Sequence, residues 1–289
     1  MMTAKEYIDS LRKLKTRVYM FGEKIENWVD HPMIRPSINC IAMTYALAHD
    51  ERYKDLMTTT SHLTGKKINR FCHIHQSTED LIKKVKMQRL CGQKTGAYLD
   101  QAENRARVGK LAAGRDVLDA FCYDGGFSLA CLAGGAARVT AVDASAEALD
   151  AFRANLARGG FAPDRAEAIC ADVGAQLRAF RDARRSFDLI VLDPPKFADS
   201  KGHVEKACRA YKDANRLAFK LLRPGGLLAT FSCSGAIDPA LFATVVAEAA
   251  CEAGRDARIV GRFDQSPDHP VSLACPEGLY LKGLLCAAP

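Results

Sequence analysis

From Arg115 onward the chain alternates short apolar runs with amphipathic stretches. "RDVLDAF" (115–121), "RVTAVDAS" (138–145), "AEAICAD" (166–172), "FDLIVLDPP" (187–195) and "LLATFSCSG" (227–235) have strand length and are bounded by turn residues. Between them, "LACLAGG", "AEALDAFRANLARGG", "RAYKDANRLAFKLL" and "PALFATVVAEAACEAG" read as helices, closed by glycines or by an "RPGG" turn. "ARIVGRF" and "LYLKGLLC" supply two last strands. Such alternation predicts an α/β fold with a parallel, doubly wound, Rossmann-like sheet.

Residues 1–95 follow another pattern. Thr3 and Glu6 have capping-box spacing ahead of the helical "KEYIDSLRKL". "RVYMFGEKIEN" predicts a short extended pair around Gly22, and "HPMIRPS" breaks the chain with two prolines. "INCIAMTYALAHD" and "STEDLIKKVKMQRL" predict amphipathic helices. The segment is mostly helical and too short to bury a large core alone.

In a doubly wound sheet, ligands bind beyond the carboxyl ends of the strands. The first strand runs into Asp119, Phe121, Tyr123, Gly125 and Gly126. Paired glycines let a backbone approach a ligand, and the next helix offers a positive N-terminus. The spacing is not G-x-G-x-x-G, which disfavours a dinucleotide. Asp143 closes the second strand, where a carboxylate can accept both hydroxyls of a ribose. Asp172 closes the third and suits an adenine amino group. The fourth ends in Asp193-Pro194-Pro195-Lys196-Phe197, a stiff turn that presents a carboxylate and carbonyls. Cys233 follows the fifth. If the fourth and fifth strands are neighbours, Asp193 and Cys233 face one crevice. Each feature alone also fits an ordinary turn or a packed thiol. Together they suit S-adenosylmethionine with a planar base as acceptor.

Composition adds a boundary. Residues 1–95 carry 17 Lys+Arg against 10 Asp+Glu, and the remainder is balanced, so the first third holds the whole net charge of +7. Every Met lies at or before Met87, and Arg replaces Lys as the commoner base after Thr95. So many shifts at one place predict two segments, 1–95 and 96–289, with different histories. Eleven Cys without C-x-x-C pairs fit free thiols in a cytoplasmic protein rather than a disulfide framework or a zinc ribbon. No apolar run is long enough to span a membrane, and the N-terminus lacks the apolar core of a secretory signal.

Residues 94–289 resemble the large-subunit ribosomal RNA cytosine-5 methyltransferases (the RlmI-like family). "KTGAYLDQAENR", "FCYDGGFS", "VDASAEAL", "LDPPKF", "RAYKDANRLA", "LLATFSCSG", "DHPV" and "PEGLYLKG" carry the likeness. The resemblance implies a class I methyltransferase fold. It assigns S-adenosylmethionine to Tyr98, Gln101, Asp119, Phe121, Tyr123, Gly125, Gly126, Asp143 and Asp172. It assigns the base to Pro194, Pro195 and Lys196, its orientation to Asp193, and the nucleophile to Cys233. It assigns no metal site. Two departures stand out: Ala102 where that family has Arg, and Asp124 where it has Thr. The family's RNA-binding PUA domain does not precede Lys94, which implies large-subunit ribosomal RNA as partner at reduced affinity.

Residues 1–95 resemble the N-terminus of 4-hydroxybutyryl-CoA dehydratase, within the 4-hydroxyphenylacetate 3-hydroxylase group. "KLKTRVYMFGEKIENWVDHPMIRPSINC" and "LTGKKINRFCHIHQSTEDLIKKVKMQRL" carry that likeness. Those enzymes use FAD and an iron–sulfur cluster, but their cluster ligands have no counterpart here, so neither group is expected. "CHIH" (72–75) lacks further metal ligands and reads as structural. "GQKTG" suits both families and marks a chimeric junction. Two other readings stay open: methylation of an exocyclic amine without a thiol, and a truncated dehydratase module or inactive chimera.

Overall fold

The computed structural model describes all residues except 21–22, 32–33, 96–98, 198–200, 267–270 and 272–277. The chain divides into two compact units, Met1–Tyr98 and Leu99–Pro289.

In the first unit, helix α1 (Ala4–Arg12) starts with the expected capping box. The Glu6 N–H donates to Thr3 Oγ1 at 3.2 Å, and the Thr3 N–H donates to Glu6 Oε2 at 2.8 Å. Strands β1 (Val18–Met20) and β2 (Glu23–Ile25) form the expected antiparallel pair, with Gly22 outside the described residues. Helix α2 (Arg35–His49) begins inside the stretch read as a break. Pro36 stands in its first turn, where a missing N–H costs nothing. Helix α3 (Lys54–Met57) precedes a hairpin that the sequence reading missed, β3 (Thr58–Thr60) with β4 (Lys67–Asn69). Helix α4 (Thr78–Thr95) closes the unit. Its core is small: Leu47, Ala48, Met57, Met87 and Cys91.

The second unit opens with α5 (Ala102–Lys110), unforeseen in the sequence. It continues through β5 (Asp116–Ala120), α6 (Gly126–Ala133), β6 (Arg138–Asp143), α7 (Ala146–Arg158) and β7 (Ala166–Cys170). Helix α8 (Val173–Asp182), also unforeseen, leads to β8 (Phe187–Leu192), α9 (Val204–Leu221) and β9 (Leu222–Ser232). Helix α10 (Pro239–Glu252) and strands β10 (Arg258–Asp264) and β11 (Lys282–Ala288) complete it.

The seven strands lie in the order β10-β11-β9-β8-β5-β6-β7. Strands β5 to β9 pair in parallel, and β11 is antiparallel to both neighbours. The all-parallel expectation is corrected there. The described part of the connection from β10 to β11 contains no α-helix, and a strand that returns without a helical crossover runs antiparallel. "RPGG" is also corrected. It lies within β9, where Phe187 pairs with Leu222 but Leu189 with Leu227, so the extra residues bulge out.

Residues alternate between the two faces of the sheet. Leu118, Ile190 and Leu192 face α8, α9 and α10, whereas Val117, Leu189 and Val191 face α5, α6 and α7. Strand order reverses between β5 and β8, so a crevice opens beyond their carboxyl ends.

Candidate active site

The loop after β5 has an unusual backbone. Phe121, Tyr123 and Gly125 all have positive φ, at 64°, 51° and 83°. Left-handed non-glycine residues cost about 1–3 kcal/mol each and persist only where neighbours hold them. The Phe121 and Cys122 N–H groups both donate to the Val142 carbonyl, at 2.9 and 3.1 Å. The Tyr123 N–H donates to Asp143 Oδ2 at 2.9 Å. Asp119 is 1% exposed, and its Oδ2 accepts the Ser128 N–H at 2.9 Å and hydroxyl at 2.6 Å. Asp119 therefore ties the end of β5 to the start of α6 and fixes the loop between them.

Both glycines have an internal reason to be small. A Cβ on Gly125 would lie 2.0 Å from the Phe152 ring, and one on Gly126 would lie 2.8 Å from Arg105 Nε. Gly125 is also the left-handed N-cap of α6.

Asp143 stands at the end of β6 and braces two loops. Its Oδ2 holds Tyr123 and its Oδ1 accepts the Ser145 N–H at 2.8 Å. A carboxylate offers about four lone-pair sites, so capacity for ligand hydroxyls remains. Asp172 is exposed and caps α8 through the Ala175 N–H at 2.8 Å.

Asp193 and Cys233 follow the adjacent strands β8 and β9. Burial pushes the Cys233 thiol up to about 11, and the Asp193 charge adds to the rise. Burial likewise raises the Asp193 carboxyl to about 7, helped by repulsion from Asp100 and Asp119 and opposed by Arg105 and Gln101. The Gln101 amide donates to Asp193 Oδ2 at 3.1 Å and accepts from Asn104 at 2.6 Å. Asp119 and Asp124 are both raised to about 6, chiefly by burial, with Arg105 pulling each back. The crevice thus gathers carboxyls that hold protons far above the usual range.

Pro194 is buried, while Pro195 and Lys196 are exposed at the rim. Phe197 packs on Tyr211 with centroids 4.7 Å apart and meets Phe121 edge-on at 6.4 Å, joining the two loops. Tyr98, most of "DHPV" and the start of "PEGLYLKG" lie outside the described residues.

Four residues at the crevice were not singled out in the sequence: Asp100, Arg105, Ser128 and Lys282. Asp100 Oδ2 accepts the Tyr280 hydroxyl at 2.6 Å, a contact 180 positions apart. Arg105 sits among ordinary helix charges in "AENRAR", and only folding sets it against three carboxyls. Among the described residues no group of His, Cys, Asp and Glu is arranged to hold a metal. His73 of "CHIH" is buried beside Asp80, at 3.4 Å.

Comparisons with known proteins divide along the chain. Residues 3–124 match the family described as 4-hydroxyphenylacetate 3-hydroxylase N terminal, and residues 101–229 match the family described as conserved hypothetical protein 95. The matches overlap over 101–124, so the first runs past the shift in composition. A ribosomal RNA large subunit methyltransferase I of Shewanella amazonensis is 52% identical over 194 residues, covering 67% of this chain and 49% of that protein. The chain spans about half the length of the curated relatives it matches. A solved structure described as a "putative methyltransferase complexed with SAH" covers 66% of this chain and 50% of its own, at TM-score 0.61 and 23% identity. That likeness establishes the fold alone, a Rossmann-like doubly wound sheet. An archaeal 4-hydroxybutyryl-CoA dehydratase from N. maritimus is 45% identical over 39% of this chain and 22% of its own, at TM-score 0.31. Over two thirds of its length the chain is therefore similar to ribosomal RNA large subunit methyltransferases, and over its first part to the 4-hydroxyphenylacetate 3-hydroxylase N-terminal family.

Proposed function

We propose that residues 96–289 form an S-adenosylmethionine-dependent methyltransferase acting on C5 of cytosine in RNA, large-subunit ribosomal RNA in particular. The observation that carries the reading is the pairing of Asp193 and Cys233 beyond adjacent strands, within mutual electrostatic reach. The relative named as a ribosomal RNA methyltransferase supplies the substrate class. The match spans about half of that relative's length.

The residues fit the cofactor. The braced loop at 121–126 leads into the N-terminus of α6, and Asp143 keeps lone pairs for ribose hydroxyls. Asp172 has one oxygen committed to its helix cap and the other open to an amino group. When bound, S-adenosylmethionine supplies an electrophilic methyl group.

Cys233 does the covalent work. Its thiolate adds to C6 of cytosine, and the ring electrons make C5 nucleophilic enough to take the methyl. The sulfonium–methyl bond breaks to leave S-adenosylhomocysteine, and loss of the C5 proton to water then restores the ring and expels the thiolate. Asp193, raised to about 7, holds its proton about half the time near neutrality. In that form it donates to N3 as negative charge develops on the ring.

One observation favours a second reading, methylation of an exocyclic amine. The thiol is raised to about 11, against thiolate formation, and an amine acceptor needs no thiol. Methyl transfer to an RNA containing unmodified cytosine decides between them. Cys233→Ala abolishes transfer while sparing S-adenosylhomocysteine binding if the first reading holds; retained transfer overturns it. Calorimetric binding of S-adenosylhomocysteine, lost in Asp143→Ala, checks the cofactor. No binding by the folded full chain overturns both readings.

We also propose that residues 1–95 and 96–289 have separate histories. The charge, Met and Lys/Arg shifts support this, as do the two family matches. Relatives of each half that join a different neighbour at Thr95 are expected; relatives that carry both halves throughout the family overturn the proposal. A cytoplasmic site of action follows from the RNA substrate. No helix among the described residues is long and apolar enough to cross a membrane.

A further inference from the structure

Lys282 is one of the few buried cations in the second unit. It opens β11, where it pairs in register with Ser232 of β9, and is 6% exposed. Its ammonium donates to the Ser234 carbonyl and to the Ile237 carbonyl, both at 2.6 Å. Those carbonyls belong to the turn that carries Cys233 from β9 toward α10. Tyr211 of α9 holds the same turn as well, through a hydrogen bond shared between its hydroxyl and Ser234 Oγ at 3.0 Å. Tyr211 is fully buried.

A buried ammonium is costly unless something compensates its charge. Two carbonyls supply partial negative charge. The groups that favour its charged form are Cys233 and Asp238, the N-cap of α10. Cys233 in turn meets Asp193 after β8 and Asp100 before α5, both of which oppose its ionisation, and it also repels ionisation of Tyr211 on α9. Lys282 is a charge that favours the thiolate, alongside a backbone hydrogen bond that favours it more.

We propose that Lys282 is a positioning residue for Cys233: its ammonium clamps the turn through two carbonyls and sets a positive charge against the thiolate, offsetting Asp193 and Asp100. This rests on the reading of Cys233 as a nucleophile, but the coupling itself needs neither RNA nor cofactor. Burial lowers Lys282 to about 8, so the charge is present below that pH and is lost above it. The assistance is therefore greatest near neutrality and fades in alkali, whereas a purely structural clamp would act equally at every pH.

The test is the rate of Cys233 alkylation by iodoacetamide in the full-length protein. Mass spectrometry follows the Cys233 peptide from about pH 6 to about pH 10, with unfolding curves as control. Lys282→Met is expected to slow alkylation roughly tenfold near pH 7, equivalent to about one pKa unit of the thiol. The gap closes above about pH 9, where the wild-type lysine has itself lost its proton. Lys282→Arg keeps its charge to far higher pH and is expected to match the wild type near neutrality and exceed it in alkali. A Lys282→Met profile superimposable on the wild type, or displaced equally at every pH, overturns the proposal. Should Lys282→Met fail to fold, Lys282→Arg decides alone, and no alkaline gain overturns it. Coupling intact in a protein that transfers no methyl leaves this inference standing while the functional reading falls.

Discussion

The Gln101 side-chain amide donates to Asp193 Oδ2 at 3.1 Å, joining residues 92 positions apart in the chain. Gln101 is in turn fixed by Asn104, whose amide also bonds the Asp264 carbonyl at 2.9 Å. The bond favours the ionised form of Asp193 against burial and two neighbouring carboxyls. Gln101→Leu is therefore expected to raise the Asp193 carboxyl above about 7. Isotope-edited infrared or carbon NMR titration of the carboxyl reads this directly. An unchanged midpoint would show that the bond does not tune the group.

Raised carboxyls also shape stability. Asp119, Asp124 and Asp193 bind protons in the folded state up to about 6, 6 and 7, and release them nearer 4 when unfolded. The folded state thus holds more protons between those limits, and stability falls as pH rises through them. Asp193→Asn removes one such group. It is expected to raise the unfolding midpoint near pH 8, with the gain vanishing near pH 4, while lowering methyl transfer. Urea unfolding at both pH values checks the sign, and a gain of equal size at pH 4 refutes the linkage.

Ser128 supplies both hydrogen bonds that Asp119 Oδ2 receives, and Asp119 Oδ1 has no hydrogen-bond partner among the described residues. Ser128→Ala leaves the buried carboxyl short of a donor. The expected loss is about 1–3 kcal/mol of stability, with weaker S-adenosylhomocysteine binding because the 121–125 loop slackens. Chemical denaturation and calorimetry report the two effects. Stability within about 0.5 kcal/mol of wild type would place the brace elsewhere.

Gly125 and Gly254 make a matched pair. Both have positive φ, 83° and 69°, but a Cβ on Gly125 would enter the Phe152 ring while the space around Gly254 is open. Gly254→Ala is expected to cost about 1 kcal/mol from backbone strain alone. Gly125→Ala should cost roughly 3 kcal/mol or more and abolish cofactor binding, since the ring cannot retreat from a packed core. Equal losses in the two variants would mean that packing against Phe152 contributes nothing.

Much of this protein is legible in its sequence. Apolar runs of strand length, spaced by amphipathic helices, specify a doubly wound sheet because each pattern has only one face or two to bury. Strand ends are where such sheets bind ligands, so Asp143, Asp193 and Cys233 could be singled out by position alone. The capping box at Thr3 and the composition break near Thr95 are local properties and equally readable. Other features exist only after folding. The antiparallel course of β11 goes with a connection whose described residues contain no α-helix, which periodicity does not register. Arg105, Asp100 and Lys282 are ordinary charges along the chain. Burial near partners that range from Asp119, 14 positions from Arg105, to Tyr280, 180 positions from Asp100, turns them into the field acting on the thiol and the carboxyls. Hydrophobic period is written residue by residue and survives in one dimension. Electrostatic coupling depends on distance and burial, and only the tertiary structure fixes those.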